Sequence, residues 1–366
     1  MFGTLKTVVF RAMLGLNIAL VVLMIAAGYS DYVSPARLSV AVLMGLSFPV
    51  FVAIDVAFVV VWLLFRVRYA LVPIVGLLLV YPPVRCYYPY NRVVEPSDSA
   101  ITLVTYNVWN FNSIHRGDEQ SDIVDYLSSC GADIVCLQEA GCSPWRRNWI
   151  HERLVRVYPH SATALSANYN DEIALYTRFP VVGTEDISYG SRTNKSAAFM
   201  LLIGGDTVVL VANHFESIGL SDDEKQALRS VVEGTDSAES ARPSARLLLG
   251  KVSEAAAVRA PQADAVADYI ASVRGRGLSV IVCGDFNEGP VSYVRRTVAR
   301  SLVDCYVESG RGFGFTYKKG GIWVRIDHVM CSDEWRPCSA AVYYGIDASD
   351  HFPLVCTIEK RSKESK

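Results

Sequence analysis

The chain has 366 residues, and its hydrophobic fraction of 51% and mean hydropathy of +0.24 are high for a soluble protein. This length exceeds one average domain, so we expect two structural parts. Residues 1–99 carry seven Lys and Arg against four Asp and Glu, and the remainder carries 28 against 33. The overall charge of −2 therefore disfavours tight, sequence-independent DNA binding, which requires a basic face.

The N-terminal quarter predicts membrane-spanning helices. The stretches at about 12–30 and 38–65 are long and apolar, and each exceeds or approaches the roughly 20 residues that a span requires. Asp55 interrupts the second stretch, either as a polar contact or as a tolerated charge facing a neighbouring helix. A third stretch at about 69–84 is shorter and holds three prolines. For the first stretch, a cleavable signal peptide is the alternative.

The distribution of basic residues predicts the orientation. Lys6 and Arg11 precede the first stretch, Arg66 and Arg68 separate the second from the third, and the loop between the first two holds only Arg37. The positive-inside rule then places the N-terminus and the Arg66/Arg68 loop in the cytoplasm. If the third stretch spans, the rest of the chain is extracytoplasmic, and if it lies in the interface, the rest of the chain is cytoplasmic. We favour the extracytoplasmic side of a multi-pass protein in the cytoplasmic (inner) membrane.

The remaining sequence predicts a linker and a soluble domain. Residues 86–99 are rich in turn-forming and charged residues, so we divide the chain into a membrane region over 1–85, a linker over 86–99 and a domain over 100–366. Apolar runs in the domain predict strands at 101–106, 134–137, 173–176, 198–203, 208–212, 278–283, 326–331 and 354–358. Helical spacing of apolar residues predicts helices at 121–129 and 263–273. Because some strands follow strands and others alternate with helices, the pattern indicates an α+β fold.

One long segment, 216–258, has no clear pattern. It is charged, with scattered Ser, Gly and Pro, although 222–232 and 245–258 could be helical. Loops of this length are uncommon unless they are functional or disordered. Since it directly follows His214, we expect either an arm that selects the substrate or a solvated insertion.

Four short motifs lie at the edges of predicted strands. Each places a carboxylate, an amide or an imidazole where a strand begins or ends, which is how a divalent metal and a water-activating group can reach one phosphate. The motifs are Thr105-Tyr106-Asn107-Val108, Gln138-Glu139, Gly284-Asp285-Phe286-Asn287 and Ser349-Asp350-His351-Phe352-Pro353. In order and spacing they resemble the endonuclease/exonuclease/phosphatase superfamily, which is deoxyribonuclease I-like, over roughly residues 100–359. The resemblance, to a membrane-anchored bacterial member, implies a four-layer α/β/β/α sandwich of two packed mixed sheets, here preceded by N-terminal transmembrane helices.

The same motifs predict a metal site. A hard cation such as Mg²⁺ is bound by one or two carboxylates together with water and substrate oxygens. We expect Glu139 to be the main ligand of Mg²⁺, or Mn²⁺, with help from Asn107 and Asp350. Taken alone, Glu139 would be a surface carboxylate after a strand, and Asn107 an ordinary turn residue.

The resemblance also implies catalytic roles. The residue matching Asp285 orients or deprotonates the attacking water, and the one matching Asn287 holds a phosphate oxygen. His351 matches the acid/base or phosphate-contacting histidine, consistent with an imidazole that titrates near neutral pH. His214 matches the histidine that contacts phosphate or assists the leaving group.

Two further carboxylates complete the predicted site. Asp327 matches the residue that orients the final histidine, here His351, and Asp350 belongs to the metal and water network. Arg259 and Gln262 resemble a recurrent pair that begins a helix in relatives, and we expect them to hold the fold.

We therefore expect a membrane-anchored, metal-dependent phosphoesterase acting on a phosphomonoester or a phosphodiester, with lipid-linked phosphates among the candidates. A metal-dependent endonuclease or exonuclease acting on DNA or RNA is the alternative, because the motifs do not encode the substrate. A non-catalytic membrane scaffold is less favoured, since it would need a lost catalytic residue. The partners implied are the membrane and a phosphate ester, and no obligatory protein partner is evident.

Overall fold

The computed structural model describes residues 2–166, 171–191, 194–219, 224, 238–319 and 321–361. It begins with four helices: α1 Phe2–Gly28, α2 Val40–Phe65, α3 Leu71–Leu79 and α4 Tyr81–Tyr87. Within the described part of the chain, two helices are long and apolar enough to cross a membrane, over Thr7–Tyr32 and Val40–Phe65. The Val67–Leu79 and Tyr81–Tyr87 helices are bent by 62° and make a third candidate span if they count as one.

The third apolar segment runs alongside the first two helices. At its start, the ring of Tyr69 packs edge-on against Trp62 near the end of α2, with centroids 5.3 Å apart. In the middle, Gly76 lies so close to α1 that an added Cβ would clash with it. At its end, Tyr87 lies 5.9 Å from Phe48 near the start of α2. The segment therefore returns the chain to the end of the bundle where α2 begins.

Two six-stranded sheets follow. The described residues form these strands: β1 Ile101–Asn107, β2 Ile134–Gln138, β3 His160–Leu165, β4 Glu172–Thr177, β5 Val181–Ile187, β6 Lys195–Ile203, β7 Asp206–His214, β8 Ser279–Asp285, β9 Val303–Asp304, β10 Asp327–Cys331, β11 Trp335–Val342 and β12 Leu354–Lys360. One sheet has the order β11-β12-β1-β2-β4-β3 and the other β5-β6-β7-β8-β10-β9. Both are mixed, because β1–β2 and β7–β8 are parallel pairs and the other pairs are antiparallel.

Four helices cover the outer faces of the sheets: α5 Asp122–Ser129, α6 Pro144–Leu154, α7 Ala238–Gly275 and α8 Tyr293–Val298. A short helix, α9 Cys305–Ser309, instead packs its Cys305 and Tyr306 against the core between the sheets. Inward-facing side chains such as Leu103, Phe199 and Ile281 form the core between the sheets. A second core lies under α5 and α6, and a third lies under α7 and α8. The expected sandwich of two packed mixed sheets with flanking helices, preceded by apolar helices, is confirmed.

The helix α7 is longer than the sequence predicts. It covers both the expected helix at 263–273 and residues 238–258 of the stretch that we expected to be irregular. Alanine-rich sequence such as Ala255-Ala256-Ala257 has a high helix propensity, and buried Val266 and Ile270 hold the helix on the second sheet. Most of the other possible helix, 222–232, lies outside the described residues.

Strand β11 is missing from the sequence-based expectations because it is an edge strand. It contains Pro337, which a central strand would exclude, and its register shifts between Pro337 and Ser339. Strands β3, β5 and β9 also lie at sheet edges and lack a continuous apolar run. Runs of apolar residues in the sequence detect the buried central strands, and these strands lie at the predicted positions.

The sandwich docks on one end of the helical bundle. Arg296 on α8 pairs with Asp31 at 3.3 Å, just after α1. Within the bundle, the hydroxyl of Tyr87 on α4 donates to the carbonyl of Gly45 on α2 at 3.1 Å, beside this contact. A Cβ on Gly45 would lie 2.6 Å from the carbonyl oxygen of Val291, so only glycine allows this approach. The loop that follows β8 therefore lies directly against the helices.

Candidate active site

The topology brings separate motifs to one edge of the two sheets. Strands β1 and β2 are parallel, as are β7 and β8, so the carboxyl ends of each pair lie together. Strand β12 is antiparallel to β1 and β10 to β8, so the residues that open β10 and precede β12 lie at the same edge. The polar side chains gathered there are those of Asn107, Glu139, His214, Asp285, Asp327 and His351.

His351 and Asp327 form a buried pair. His351 Nδ1 lies 2.9 Å from Asp327 Oδ2, and the other ring nitrogen, Nε2, lies 3.6 Å from Asp285 Oδ2. Burial by itself would lower the pKa of His351, but the negative charges of Asp327 and Asp285 outweigh it and raise the pKa to about 9. Tyr317 packs edge-on against the imidazole at 5.1 Å. The ring is thus fixed by Asp327 and presents Nε2 toward Asp285.

His214 forms a second pair of the same kind. Its Nδ1 lies 2.8 Å from Asp171 Oδ2, and its Nε2 lies 3.9 Å from Asp285 Oδ2 and 3.7 Å from Glu139 Oε1. Burial would lower the pKa of His214, but the surrounding carboxylates, Asp171 first, raise it to about 10. His214 Nε2 is buried and has no hydrogen-bond partner among the described residues. It is therefore free to donate to a ligand.

Asp171 is a site residue that sequence reasoning missed. The signal was present, because Asp171 immediately precedes β4 as Asp327 opens β10. Both carboxylates are buried and each binds one imidazole. A carboxylate at a strand end without a recognised motif is too common to single out from sequence alone.

Asp285 lies between the two histidines. Its Oδ2 accepts a hydrogen bond from Asn107 Nδ2 at 3.1 Å, and its Oδ1 accepts one from the backbone of Asn287 at 2.8 Å. Burial raises the pKa of Asp285 to about 6, while the neighbouring imidazoles of His351 and His214 oppose this rise. At neutral pH the carboxylate is ionised yet basic enough to accept a proton.

Glu139 and Asn107 lie beside this centre. Asn107 Nδ2 donates to Glu139 Oε1 at 3.0 Å as well as to Asp285, so one amide joins both carboxylates. The oxygen of the same amide accepts from the backbone of Trp109 at 3.1 Å. The partly exposed Glu139 and the buried Asp285 are hard oxygen donors that both bond to Asn107 and both lie within 4 Å of His214 Nε2, which fits a divalent cation.

Asp350 occupies a different position. Its Oδ2 pairs with Lys319 Nζ at 3.3 Å, and its backbone carbonyl accepts from Lys318. The preceding residue, Ser349, donates to the carbonyl of Asn107 at 2.7 Å and thereby ties this loop to the end of β1. Asp350 acts on His351 through its charge, which helps to raise the pKa of that ring.

Among the described residues, one group of carboxylate and imidazole side chains could hold a metal ion. Its members are Asp285, Asp327 and His351. Their ligand atoms lie within 4.8 Å of one another. However, Asp327 and the Nδ1 of His351 are already bonded to each other. We therefore interpret this cluster as a histidine–carboxylate pair facing an acidic residue.

Backbone strain is concentrated at this edge. Among the described residues, the non-glycine residues with positive φ are Trp109, Asn110, Phe111, Glu139 and Asn287, with φ between 46° and 55°. Such conformations cost energy and persist where the surroundings enforce them, often at functional sites. Asn287 donates from its amide to the carbonyl of Phe215 at 2.9 Å, which holds the turn after β8.

A sequence profile of the Endonuclease/Exonuclease/phosphatase family matches residues 104–351. This segment is more than half of the chain and runs from the first strand-end motif to His351 in the last one. The chain belongs to the endonuclease/exonuclease/phosphatase family. Members of this family hydrolyse phosphoesters and typically use a divalent metal. A second profile, a domain of unknown function (DUF8431), matches residues 9–87.

Several solved structures share the fold of this chain. A Danio rerio (D. rerio) TDP2 structure complexed with a single-strand DNA product has a TM-score of 0.52 at 17% identity, covering 72% of this chain and 100% of that one. A humanized D. rerio TDP2 has a TM-score of 0.50 at 17% identity, with the same coverage. The human Nocturnin catalytic domain with bound sulfate has a TM-score of 0.50 at 16% identity, covering 73% and 97%. A comparison with curated protein sequences gave no match.

Near the site, a buried ion pair and neighbouring hydrogen bonds hold two loops together. Arg259 on α7 donates from Nε and Nη2 to Glu288, at 3.0 and 2.8 Å, and from Nη1 to the carbonyl of Glu216. Gln262 accepts from the backbone of Glu216 at 3.0 Å. Arg259 and Gln262 thus join the segment after β7 to the loop after β8. His328 has its pKa lowered to about 4, mainly by burial, and is neutral.

Proposed function

We propose that this protein is a membrane-anchored, divalent-metal-dependent phosphoesterase that hydrolyses a phosphomonoester or a phosphodiester. The observation that supports this most directly is the pair of imidazoles directed at one carboxylate. The Nε2 atoms of His351 and His214 approach Asp285 Oδ2 at 3.6 and 3.9 Å, beside Glu139. One basic carboxylate between two cationic donors is an arrangement that can activate water next to an anionic phosphoryl group.

The roles follow from the charge states. Asp285, ionised at neutral pH, orients the attacking water and accepts its proton. His351 and His214 have raised pKa values, about 9 and 10, so their Nε2–H groups carry positive charge toward the phosphoryl oxygens or the leaving group. Asp327 fixes the tautomer of His351. Asn287 helps to hold the phosphoryl group, and its backbone hydrogen bond keeps Asp285 in position.

The residues present fit a divalent cation. We propose that Glu139 is its main protein ligand with Asn107 assisting, that Asp350 assists by exchanging Lys319 for the ion, and that the ion is Mg²⁺ or Mn²⁺. Rotation of the Asn107 amide would place its oxygen where its nitrogen now faces Glu139. When bound, such an ion neutralises charge on the phosphoryl oxygens.

We further propose that residues 1–85 anchor the protein in the cytoplasmic membrane, that 86–99 link the two parts, and that the catalytic domain of 100–366 is extracytoplasmic. The third apolar segment supports this orientation, because it runs from the Trp62 end of the bundle back to the Phe48 end. Arg66 and Arg68 lie at the first end, and the catalytic domain docks at the second. By the positive-inside rule the basic end is cytoplasmic.

The position of the site favours a substrate at the membrane surface. The loop from Asp285 to Val291 carries catalytic residues at its start and touches α2 at its end. A lipid-linked phosphate could therefore present its headgroup to the site. A nucleic-acid substrate is the second candidate, since a structurally similar TDP2 was solved with a single-strand DNA product.

The test is a parallel assay of the purified full-length protein in nanodiscs with Mg²⁺. The substrates are plasmid DNA, bis(p-nitrophenyl) phosphate, a phospholipid and an isoprenoid pyrophosphate. We expect metal-dependent hydrolysis of the soluble diester or of a lipid substrate, lost in Asp285→Asn and retained in the matched surface variant Asp186→Asn. Hydrolysis of DNA alone would support the nuclease, and no hydrolysis at all would contradict the proposal.

A reporter fused after Lys366 tests the orientation. Alkaline phosphatase, which is active only outside the cytoplasm, should be active in this position. Activity of a cytoplasmic reporter instead would reverse the proposed topology.

A further inference from the structure

Aromatic rings form a continuous chain between the membrane helices and the catalytic histidine. Tyr88, the first residue after α4, packs edge-on against Phe313 at 4.9 Å. Phe313 stacks on Phe315 at 5.1 Å, and Phe315 lies 6.3 Å from Trp323. The remaining steps lead from Trp323 to the residue next to His351.

The second half of this chain reaches the site. Trp323 stacks on Phe352 at 6.3 Å, and Tyr344 packs edge-on against Phe352 at 5.0 Å. Phe352 follows His351 directly in sequence. Together these side chains form an aromatic path, made up of Tyr88, Phe313, Phe315, Trp323, Tyr344 and Phe352.

Four of the six rings in the aromatic path are exposed, while Phe352 is buried at the inner end. Trp323 and Tyr344 are each 53% exposed, Tyr88 is 51% exposed and Phe313 is 46% exposed. Isolated exposed apolar residues need no explanation, but contiguous ones mark interaction sites. Aromatic side chains are also typical of the membrane–water interface, because their rings prefer that boundary.

Cationic groups lie beside the inner end of the path. Lys318 Nζ lies 4.1 Å from the centroid of Phe352, and Lys319 Nζ lies 3.9 Å from that of Trp109. Lys319 Nζ pairs with Asp350, which precedes His351 in sequence, and Lys318 Nζ pairs with the exposed Asp347, so each ammonium group is bound to a carboxylate. The surface therefore changes from aromatic at the membrane end to polar and charged at the catalytic end, which matches a molecule with an apolar tail and a polar head.

We propose that the aromatic path binds the hydrocarbon tail of an amphiphilic phosphate ester drawn from the bilayer, while its phosphate occupies the catalytic site. This inference rests on the proposed function and names the class of substrate for that site. Continuity with the end of α4 is what favours a lipid tail over a nucleic-acid strand, whose bases could also stack on exposed rings.

The activity test compares tail lengths. Full-length protein in nanodiscs is assayed against dihexanoyl and dioleoyl forms of phosphatidic acid and of phosphatidylcholine. In Trp323→Ala and in the Phe313→Ala, Trp323→Ala double variant, we expect the long-chain to short-chain ratio of kcat/KM to fall about tenfold or more, since buried apolar contact with the tail is lost. Trp323→Phe should restore most of the ratio. Leu202→Ala, an exposed apolar residue on β6, is the matched control and should leave it unchanged.

A binding readout separates this inference from the proposed function. Tryptophan fluorescence of the wild-type protein and of Trp323→Phe is compared in nanodiscs containing brominated-chain phosphatidic acid, so that the difference reports Trp323. Quenching of Trp323 without hydrolysis of any substrate would contradict the proposed function and support the tail site. Hydrolysis with an unchanged chain-length ratio and no quenching would overturn the tail site alone. Quenching only by a single-stranded oligonucleotide would also overturn it, in favour of base stacking.

Discussion

Replacing Asp171 by Asn tests the role of the second histidine–carboxylate pair. The substitution keeps the shape of the side chain but removes the charge that Nδ1 of His214 meets at 2.8 Å. Both partners are buried, so water does not compensate for the loss. We expect the pKa of His214 to fall and its Nε2 to lose positive charge, because Asp171 is the strongest of the interactions that raise this pKa.

The magnitude follows from the kind of hydrogen bond that is weakened. Hydrogen bonds to charged groups contribute about 1.5–3 kcal/mol, which corresponds to a roughly 10- to 150-fold change if the whole effect reaches the transition state. We therefore expect kcat for bis(p-nitrophenyl) phosphate to fall by about 10- to 150-fold, with a smaller change in KM, since the phosphoryl charge to be stabilised is greatest in the transition state.

The assay is steady-state hydrolysis at saturating Mg²⁺, accompanied by thermal unfolding to establish that the variant is folded. Asp186→Asn is the matched control, because this aspartate is 65% exposed and pairs with Lys195 on the surface strands. If Asp171→Asn retained a kcat within about twofold of the wild type, His214 would not depend on this carboxylate, and the proposed role of the pair would be wrong.

Other predictions address the metal, the backbone and the buried ion pair. Glu139→Gln should raise the Mg²⁺ concentration needed for half-maximal activity and lower kcat by about tenfold or more, while the protein stays folded. A metal titration of activity measures both effects, and a normal titration would exclude Glu139 as a ligand. Gly284→Ala should lower the free energy of unfolding by about 3 kcal/mol or more, measured by thermal or denaturant unfolding. The reason is that φ of this residue is +132° and the new Cβ would lie 1.9 Å from the carbonyl oxygen of Asn213. Gly275→Ala is the control, because its Cβ meets no atom within 4 Å, and it should be tolerated. Arg259→Met should lower the free energy of unfolding by about 3–5 kcal/mol, because it leaves Glu288 buried without its partner. Adding Glu288→Leu should restore most of that stability.

Several parts of the site could be predicted from the sequence because they depend on local order. A buried strand followed by a polar residue is visible as an apolar run with a carboxylate or amide at its end. The carboxyl ends of parallel strands lie at one edge, so Asn107 and Glu139 meet, as do His214 and Asp285. The buried strands and the apolar N-terminal helices are predictable for the same reason, since burial imposes a pattern on consecutive residues, whereas the sandwich of two packed sheets is what the family resemblance implies.

Only the tertiary structure brought together residues whose local signal is too common to single them out. Asp171 and His214 are 43 positions apart, and nothing around Asp171 distinguishes it from other acidic residues at strand ends. The edge strand β11 contains a proline and lacks the buried pattern, so its position is set by pairing with β12. The first half of α7 was likewise not predicted with certainty, because only its second half packs on the second sheet, while the earlier turns have no consistent apolar period and carry the exposed Leu247 and Leu249.

The sequence by itself determined which residues could do chemistry and that the chain begins with apolar helices. The structure decided how these parts face each other. Gly45 meets Val291, Tyr87 meets α2, and the rings from Tyr88 to Phe352 line up between the bundle and the catalytic edge. Contacts of this kind join side chains that are far apart along the chain, and no sequence period reports them, because they arise only when separately formed elements pack against one another.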